Sequence, residues 1–324
     1  MTRKKADIDT EKLIDTAIEA TSKKDIKKDK KKHRLYDLNL KQIDRDLSPE
    51  QQREWDSIYA SFRSKSALRG RVLGVDRHVI EVSDPITNEK EIKDILCLVV
   101  MDFRVKVIIP ETEIWFDDEN VLPRYAVRNM PGCYVDYVIT DVDRLGECAV
   151  ASRRMASQAK RNKFFKTNHN RQGAIVDCNV LVVGPNQMFV ECNGIDTVLM
   201  PKDITYASVI DLRNDYKPGQ ELKAKIISFD KETQSLEISI KEANPNPFDG
   251  AINRHPTGSR RTGIISGKYA GGLFCRLHDD TNVLCSYDTG LFTEEFYIGD
   301  EVVIIVTNFD FERKHVQGKI LTKW

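Results

Sequence analysis

No stretch of this 324-residue chain reaches the ~20 consecutive apolar residues that span a bilayer. Its first residues, Met1 to Thr10, lack the apolar core of an export signal. No membrane association is expected, and the setting expected is cytoplasmic. Seven cysteines are present, an odd number, and none forms a Cys-x-x-Cys pair. With six scattered histidines, that spacing excludes a disulfide framework and offers no zinc site. Most of the cysteines sit in apolar runs, where a thiol acts as a small hydrophobe. Clustered carboxylates and His–Lys constellations suited to phosphoryl transfer are missing too, so neither catalysis nor a metal or cofactor is expected. Net charge is absent as well, with 50 basic and 50 acidic side chains. That excludes a partner held by bulk charge and leaves local patches to decide.

The patches are uneven. Residues 23–34 hold seven lysines and Arg34 against two aspartates. Residues 151–173 hold seven Lys or Arg and no acid, and residues 250–276 hold five and no acid. Residues 277–312 carry nine acids and no Lys or Arg.

Residues 1–65 read as a charged, partly helical N-terminal arm. Leu13, Ile14, Ala17 and Ile18 recur at helical spacing, and the lysine run beyond them is too polar to fold alone. A second helix is expected from Ser48-Pro49-Glu50, with serine as N-cap and proline in the first turn. Trp55, Ile58, Tyr59 and Phe62 would line one face, packed on the neighbouring barrel or offered to a partner.

From Leu68 the period changes to short β segments separated by Gly, Asn, Asp and Pro. The middle stretch is clearest. Strands are expected at Gly173–Val183, Met188–Cys192 and Val198–Met200, then at Leu222–Asp230 and Leu236–Lys241, with a polar excursion before Pro218-Gly219. Leu236, Ile238 and Ile240 alternate with Glu237, Ser239 and Lys241, giving one buried and one wet face. The same order recurs after Gly263 and after Gly70. Five strands in about 70 residues, with a long connection between the third and fourth, is the plan of a small closed Greek-key barrel. The fold class expected is mostly β, with three five-stranded OB-fold barrels in tandem behind the arm. The first domain spans 66–156, with an insertion at 83–101. A basic linker, 157–171, precedes the second domain at 172–243. A linker at 244–258 leads to the third at 259–324.

The phrases Pro218-Gly219-Gln220-Glu221-Leu222-Lys223-Ala224-Lys225-Ile226, Asp230 and Leu236-Glu237-Ile238-Ser239-Ile240-Lys241 carry a family resemblance. So do Gly299-Asp300-Glu301-Val302 with Asp310, and Gly132, Val135, Asp141 and Ala151-Ser152-Arg153-Arg154. This repeated order, over roughly residues 66–324, resembles the RNA-binding repeat of bacterial ribosomal protein S1. The phrases Arg104-Val-Lys-Val-Ile-Ile-Pro-Glu-Thr-Glu and Ser266-Gly-Lys-Tyr-Ala-Gly-Gly also resemble proteins of Gram-positive phages and mobile elements. The family's first aromatic is replaced by Asp76, Asn186 and Gly271. Its second is aligned with Val79, Phe189 and Phe274.

The resemblance implies single-stranded RNA as ligand, an mRNA or structured transcript, with the ribosome as a further partner. Aromatic rings would stack bases, and cations would meet phosphates. In the second domain Phe189, Lys223, Lys225 and Lys241 would form that face; in the third, Arg261, Lys268, Tyr269, Phe274 and Arg276. Strand alternation alone leaves Phe189 and Phe274 open between exposed platform and core. Lys160, Arg161, Lys163, Lys166 and Arg171, interleaved with Phe164 and Phe165, are read as further phosphate contacts, the alternative being two rings wedged between barrels. A single-stranded DNA coat of a phage or conjugative element is the alternative function, and a protein-interaction scaffold using the acidic half of the third barrel is another.

Overall fold

Strand alternation and turn chemistry place fifteen strands among the described residues of a computed structural model. It describes residues 47–323 apart from 84–89, 103, 117–123, 168–170, 270–271 and 287–295. The helix expected near Leu13 and the lysine run lie outside these residues. The chain parts into two units, Met1–Gln52 and Arg53–Trp324.

Helix α1, Pro49–Ser64, starts on a reciprocal cap. Ser48 N donates to Gln51 Oε1 at 3.0 Å and Gln51 N donates to Ser48 Oγ at 3.3 Å, which satisfies two donors that a helix start leaves open. Trp55, Ile58 and Tyr59 are buried as expected, and Phe62 is half-buried. The stripe faces the first barrel. Arg144 stacks 4.1 Å above Trp55, and Ser61 Oγ accepts from Ile139 N at 3.1 Å.

The first barrel is closed in the order β1-β2-β3-β5-β4. Its strands are β1 (Leu68–Ser83), β2 (Lys90–Val100), β3 (Lys106–Pro110), β4 (Tyr134–Asp143) and β5 (Cys148–Ser152), with helix α2 (Arg124–Arg128) in the long connection. One expectation is corrected. Val79–Val82 is not a second strand followed by an insertion at 83–101. It continues β1, and residues 90–100 are the second strand itself, paired from Ser83↔Lys90 to Val72↔Val100. No proline and no Asn-Gly or Asp-Gly pair interrupts Leu68–Ser83, so the strand runs on through a register shift at Val72/Gly74 and the extra length becomes a long antiparallel pair with β2. Val79 is accordingly solvent-facing, at 73% exposure, and holds no family aromatic position.

Helix α3, Arg153–Lys166, follows without a break, because Ser152 Oγ accepts from Met155 N at 3.1 Å. The segment read as a linker from 157 is therefore helical as far as Lys166.

The middle domain holds β6 (Ile175–Val183), β7 (Met188–Cys192), β8 (Ile195–Leu199), helix α4 (Pro201–Ile204), β9 (Glu221–Asp230) and β10 (Ser235–Ser239). Its order is β10-β9-β6-β7-β8, a barrel-like sheet open at one seam. The outer barrels close by parallel pairs, Val107↔Ala149 in the first and Leu284↔Gln317 in the third. In the middle, Ile240 N instead donates to Asp203 O at 2.9 Å, and Ser239 Oγ to the same carbonyl at 3.1 Å. The helical turn started by Pro201 takes up the bonding that would have closed the seam.

Helix α5 (Ala251–Arg254) leads into the third barrel, closed in the order β11-β12-β13-β15-β14. Its strands are β11 (Arg260–Tyr269), β12 (Gly272–Leu277), β13 (Asn282–Ser286), β14 (Glu301–Asp310) and β15 (His315–Lys323). The cores of the middle and third domains are mainly aliphatic residues and Cys, with Phe164 and Met188 in the one and Phe296 and Phe309 in the other. Six of the seven cysteines are buried and Cys148 is half-buried, all as free thiols. Burial pushes Cys133, Cys178 and Cys192 up to about 12, which leaves them without thiolate character. No described helix is long and apolar enough to cross a membrane.

Candidate nucleic-acid interface

The structure separates the residues expected to form one basic face. Phe189 is core, at 3% exposure, flanked on its sheet by Val182 and Val198. It is not a stacking platform. All five positions of β7 are buried, because its outer side, which alternation would leave wet, is covered as well as its inner side.

Arg276 is also redirected. Its Nη1 reaches Asp215 Oδ2 at 2.7 Å and its Nε reaches Asp280 Oδ1 at 2.7 Å, so its charge is taken up in tying the middle domain to the third. The two carboxylates hold its pKa above the usual guanidinium range. Lys160 is likewise half-buried between Asp136 of β4 and Glu191 of β7, with Nζ 2.9 Å from Glu191 Oε1. Burial disfavours its charge, but the two carboxylates outweigh that and raise its pKa. Arg161 stacks 4.2 Å over Phe116. Phe164 joins the middle domain's core, with Phe165 edge-on at 5.2 Å. Of the five cations predicted there, Lys163, Lys166 and Arg171 are exposed.

Lys160 and Arg161 belong to a junction between the first and middle domains. Arg153, fully buried, donates to Asp196 at 2.6 and 2.9 Å and to Ile114 O at 3.0 Å, with its guanidinium 4.9 Å from the Trp115 ring. Glu191 is buried beside it. Burial raises this carboxyl's pKa, but Arg153 and Lys160 outweigh the effect and hold it below the usual range. Gly194, at φ +84°, lets the β7–β8 turn press against α3, where a Cβ would overlap the Ser157 carbonyl.

The remaining predicted residues disperse. Lys223 meets Asp177 at 3.2 Å on an exposed face, and Lys225 meets Glu242 at 3.9 Å. Arg261 Nε donates to His255 Nδ1 at 3.0 Å, and His255 faces Asp279 at 2.8 Å. Lys268 sits 5.3 Å from the Tyr297 ring. The side chain of Tyr269 lies outside the described residues.

Two predicted residues do come together. Lys241 and Phe274 line a groove of about 590 Å³ between the middle and third domains. Lys241 Nζ lies 4.7 Å over the ring of Tyr206. Phe274 is half-buried on β12, and Phe248 lies nearby, edge-on to the exposed Phe311 at 5.6 Å. Arg313, Lys314 and His315 reach the groove from the β14–β15 turn. Glu242 and Asp280 are held by Lys225 and Arg276. The cations Lys241, Arg313 and Lys314 stand in the lining beside the carboxylates Asp249 and Glu312. The groove's walls keep a fixed distance. Asn282 Nδ2 donates to Tyr206 O at 2.6 Å, and Ser208 N donates to Asn282 Oδ1 at 3.1 Å.

Such a groove supplies ring faces for bases, cations for phosphates and amides for base edges. Sequence reading missed Tyr206, Phe248, Arg313, Lys314 and His315. The interleaving Phe309-Asp310-Phe311-Glu312-Arg313-Lys314-His315 across a hairpin turn was a usable signal. Tyr206, inside an irregular excursion, had none.

Strand order 1-2-3-5-4 closes the two outer domains, and the middle one keeps the same neighbours with the seam between its third and fifth strands left open. These are OB-fold domains, and their sequence phrases are similar to those of the S1 type. No family model matches the chain. The small ribosomal subunit protein bS1 of Neisseria meningitidis serogroup B is 23% identical over 228 residues, covering 68% of this chain and 40% of that protein. The 4-hydroxy-3-methylbut-2-enyl diphosphate reductase of Clostridium acetobutylicum is 25% identical over 175 residues, covering 53% of this chain and 27% of that enzyme. The chain thus spans two fifths or less of the length of these relatives. A solved multidomain protein with nucleic acid binding domains from Streptococcus pneumoniae matches over 79% of this chain and 73% of its own, at 10% identity and a TM-score of 0.20.

Proposed function

We propose that this protein binds single-stranded RNA, without catalysis, through the groove between its middle and third S1-type domains. The observation that carries the reading is the meeting of Tyr206 and Phe274 with Lys241, Arg313 and Lys314 along one groove. An aromatic and cationic groove takes a flexible strand whose bases can unstack, and a duplex offers it no free base faces. The similarity to bS1 proteins supports RNA as the ligand. It also supports a cytoplasmic role on mRNA or structured transcripts in association with the ribosome.

The test is fluorescence anisotropy with a labelled 12-nucleotide RNA, its DNA counterpart and its RNA duplex, each at about 0.1 M salt. Tighter binding of the single-stranded RNA, lost in an Arg313→Ala/Lys314→Ala variant, is the expected result. Equal or tighter binding of the DNA strand assigns the groove to single-stranded DNA instead. Binding unaffected by the double substitution removes the groove from the reading.

A further inference from the structure

The junction of the middle and third domains has a second opening, past the Tyr206–Ser208 strap and Arg276, with different chemistry. It is a cavity of about 440 Å³. Its floor is apolar, from Val209, Ile210 and Ile264. Ile210 is 43% exposed and Ile264 is 41% exposed, unusual exposure for isoleucine inside a cleft. Among the described lining residues there is no Phe, Tyr or Trp to stack a base.

The rim is acidic. Four carboxylates, Asp211, Asp215, Asp280 and Glu301, stand against the single guanidinium of Arg276. Asp215 and Asp280 are already satisfied by Arg276. Asp211 is held by Arg213 at 2.6 Å. Glu301 has no ion-pair partner among the described residues. It stands opposite Ile264 in the β11–β14 register, so an exposed methyl surface and an uncompensated carboxylate lie side by side. Phosphates would be repelled here. An aliphatic stem ending in a cation would bury its methylenes on Ile210 and Ile264 and bring its charge to Glu301.

We infer that this cavity docks a lysine- or arginine-bearing, partly apolar segment of another protein. Charge complementarity selects the occupant, because the acidic run 277–312 supplies part of the lining. The same domain junction then presents RNA chemistry at one opening and basic-protein chemistry at the other, so the protein can join an RNA to a basic protein partner. This inference does not depend on the RNA reading, since the two openings are lined by different side chains apart from Asp280.

The test uses the full chain and a fluorescein-labelled dodecapeptide with Lys and Leu spaced by Gly and Ser. Its Glu-for-Lys counterpart serves as the charge control. Binding of the basic peptide alone is expected. Glu301→Lys should weaken it about tenfold, the scale for reversing a charge that faces a cation. Ile264→Ser should weaken it as well. Glu232→Lys, on the exposed β9–β10 turn, should leave peptide affinity unchanged, and none of the three should alter RNA affinity. Peptide affinity untouched by Glu301→Lys overturns the proposal. RNA affinity changed by Glu301→Lys with the peptide indifferent also overturns it and assigns the cavity to nucleic acid. If Ile264→Ser lowers the melting temperature, Glu301→Lys, at an exposed position, decides alone.

Discussion

Replacing Tyr206 with alanine tests the groove most directly, because the substitution removes a ring and little else. The main-chain bridge to Asn282 runs through the Tyr206 carbonyl and survives. The lost Lys241 contact at 4.7 Å is a cation–π pair worth about 0.5–1 kcal/mol at a partly exposed site, so the fold should hold. A base stacked on the ring contributes ~1–3 kcal/mol, which is roughly 5- to 150-fold in Kd. Phe189→Ala is the matched control, an aromatic on the neighbouring sheet with 3% exposure. It should cost ~3–5 kcal/mol of folding stability and leave the affinity of the folded fraction intact. RNA anisotropy and thermal melting on both variants separate the cases. If Phe189→Ala weakens RNA binding at an unchanged melting temperature while Tyr206→Ala leaves binding untouched, the stacking surface lies on the middle sheet and the reasoning fails.

Other outcomes follow from the same geometry. With three groove cations meeting phosphates, log affinity should fall against log salt with a slope near ~−2, and Arg313→Ala/Lys314→Ala should flatten it by ~1.4. A slope unchanged by the double variant contradicts this. Arg153→Met should destabilise the first–middle junction by ~3–5 kcal/mol, because Glu191 and Asp196 lose their buried partner; urea melts read it directly. Gly194→Ala should lower stability by ~1–3 kcal/mol through its left-handed backbone and the Ser157 overlap, and a neutral melt would show that α3 can retreat. For Asp279, burial raises the carboxyl's pKa, but hydrogen bonds from His255, Arg254 and Thr281 outweigh it and leave the value depressed. Its stabilisation is therefore full above the unfolded value near ~4 and is lost as pH falls below it. Asp279→Asn should flatten that acid limb of a stability–pH curve.

The strand order of the middle and third domains was legible in the sequence, because alternation, turn residues and the repeated phrases all act locally. Leu236, Ile238 and Ile240 had one possible inner face, and Ser48 with Gln51 had one capping geometry. The α1 stripe was legible for the same reason, although its two possible occupants were not resolved. The absence of proline and of Asn-Gly or Asp-Gly pairs from Leu68 to Ser83 was also present in the sequence, and the long β1–β2 pair follows once Gly74 makes a bulge instead of a turn. Charge roles were a different matter. Lys160 and Arg276 read as phosphate contacts by composition, yet each lies between two carboxylates from segments 24 to 61 residues away, apart from the nearby Asp280. Phe189 read as a platform because the family resemblance put a stacking ring there, and alternation does not say what covers an outer face. Which cations remain free, and which rings face an open groove, depends on how neighbouring domains neutralise and cover one another. That is a long-range property of the packed domains, carried by Arg153, Asn282 and Arg276, and no local pattern encodes it.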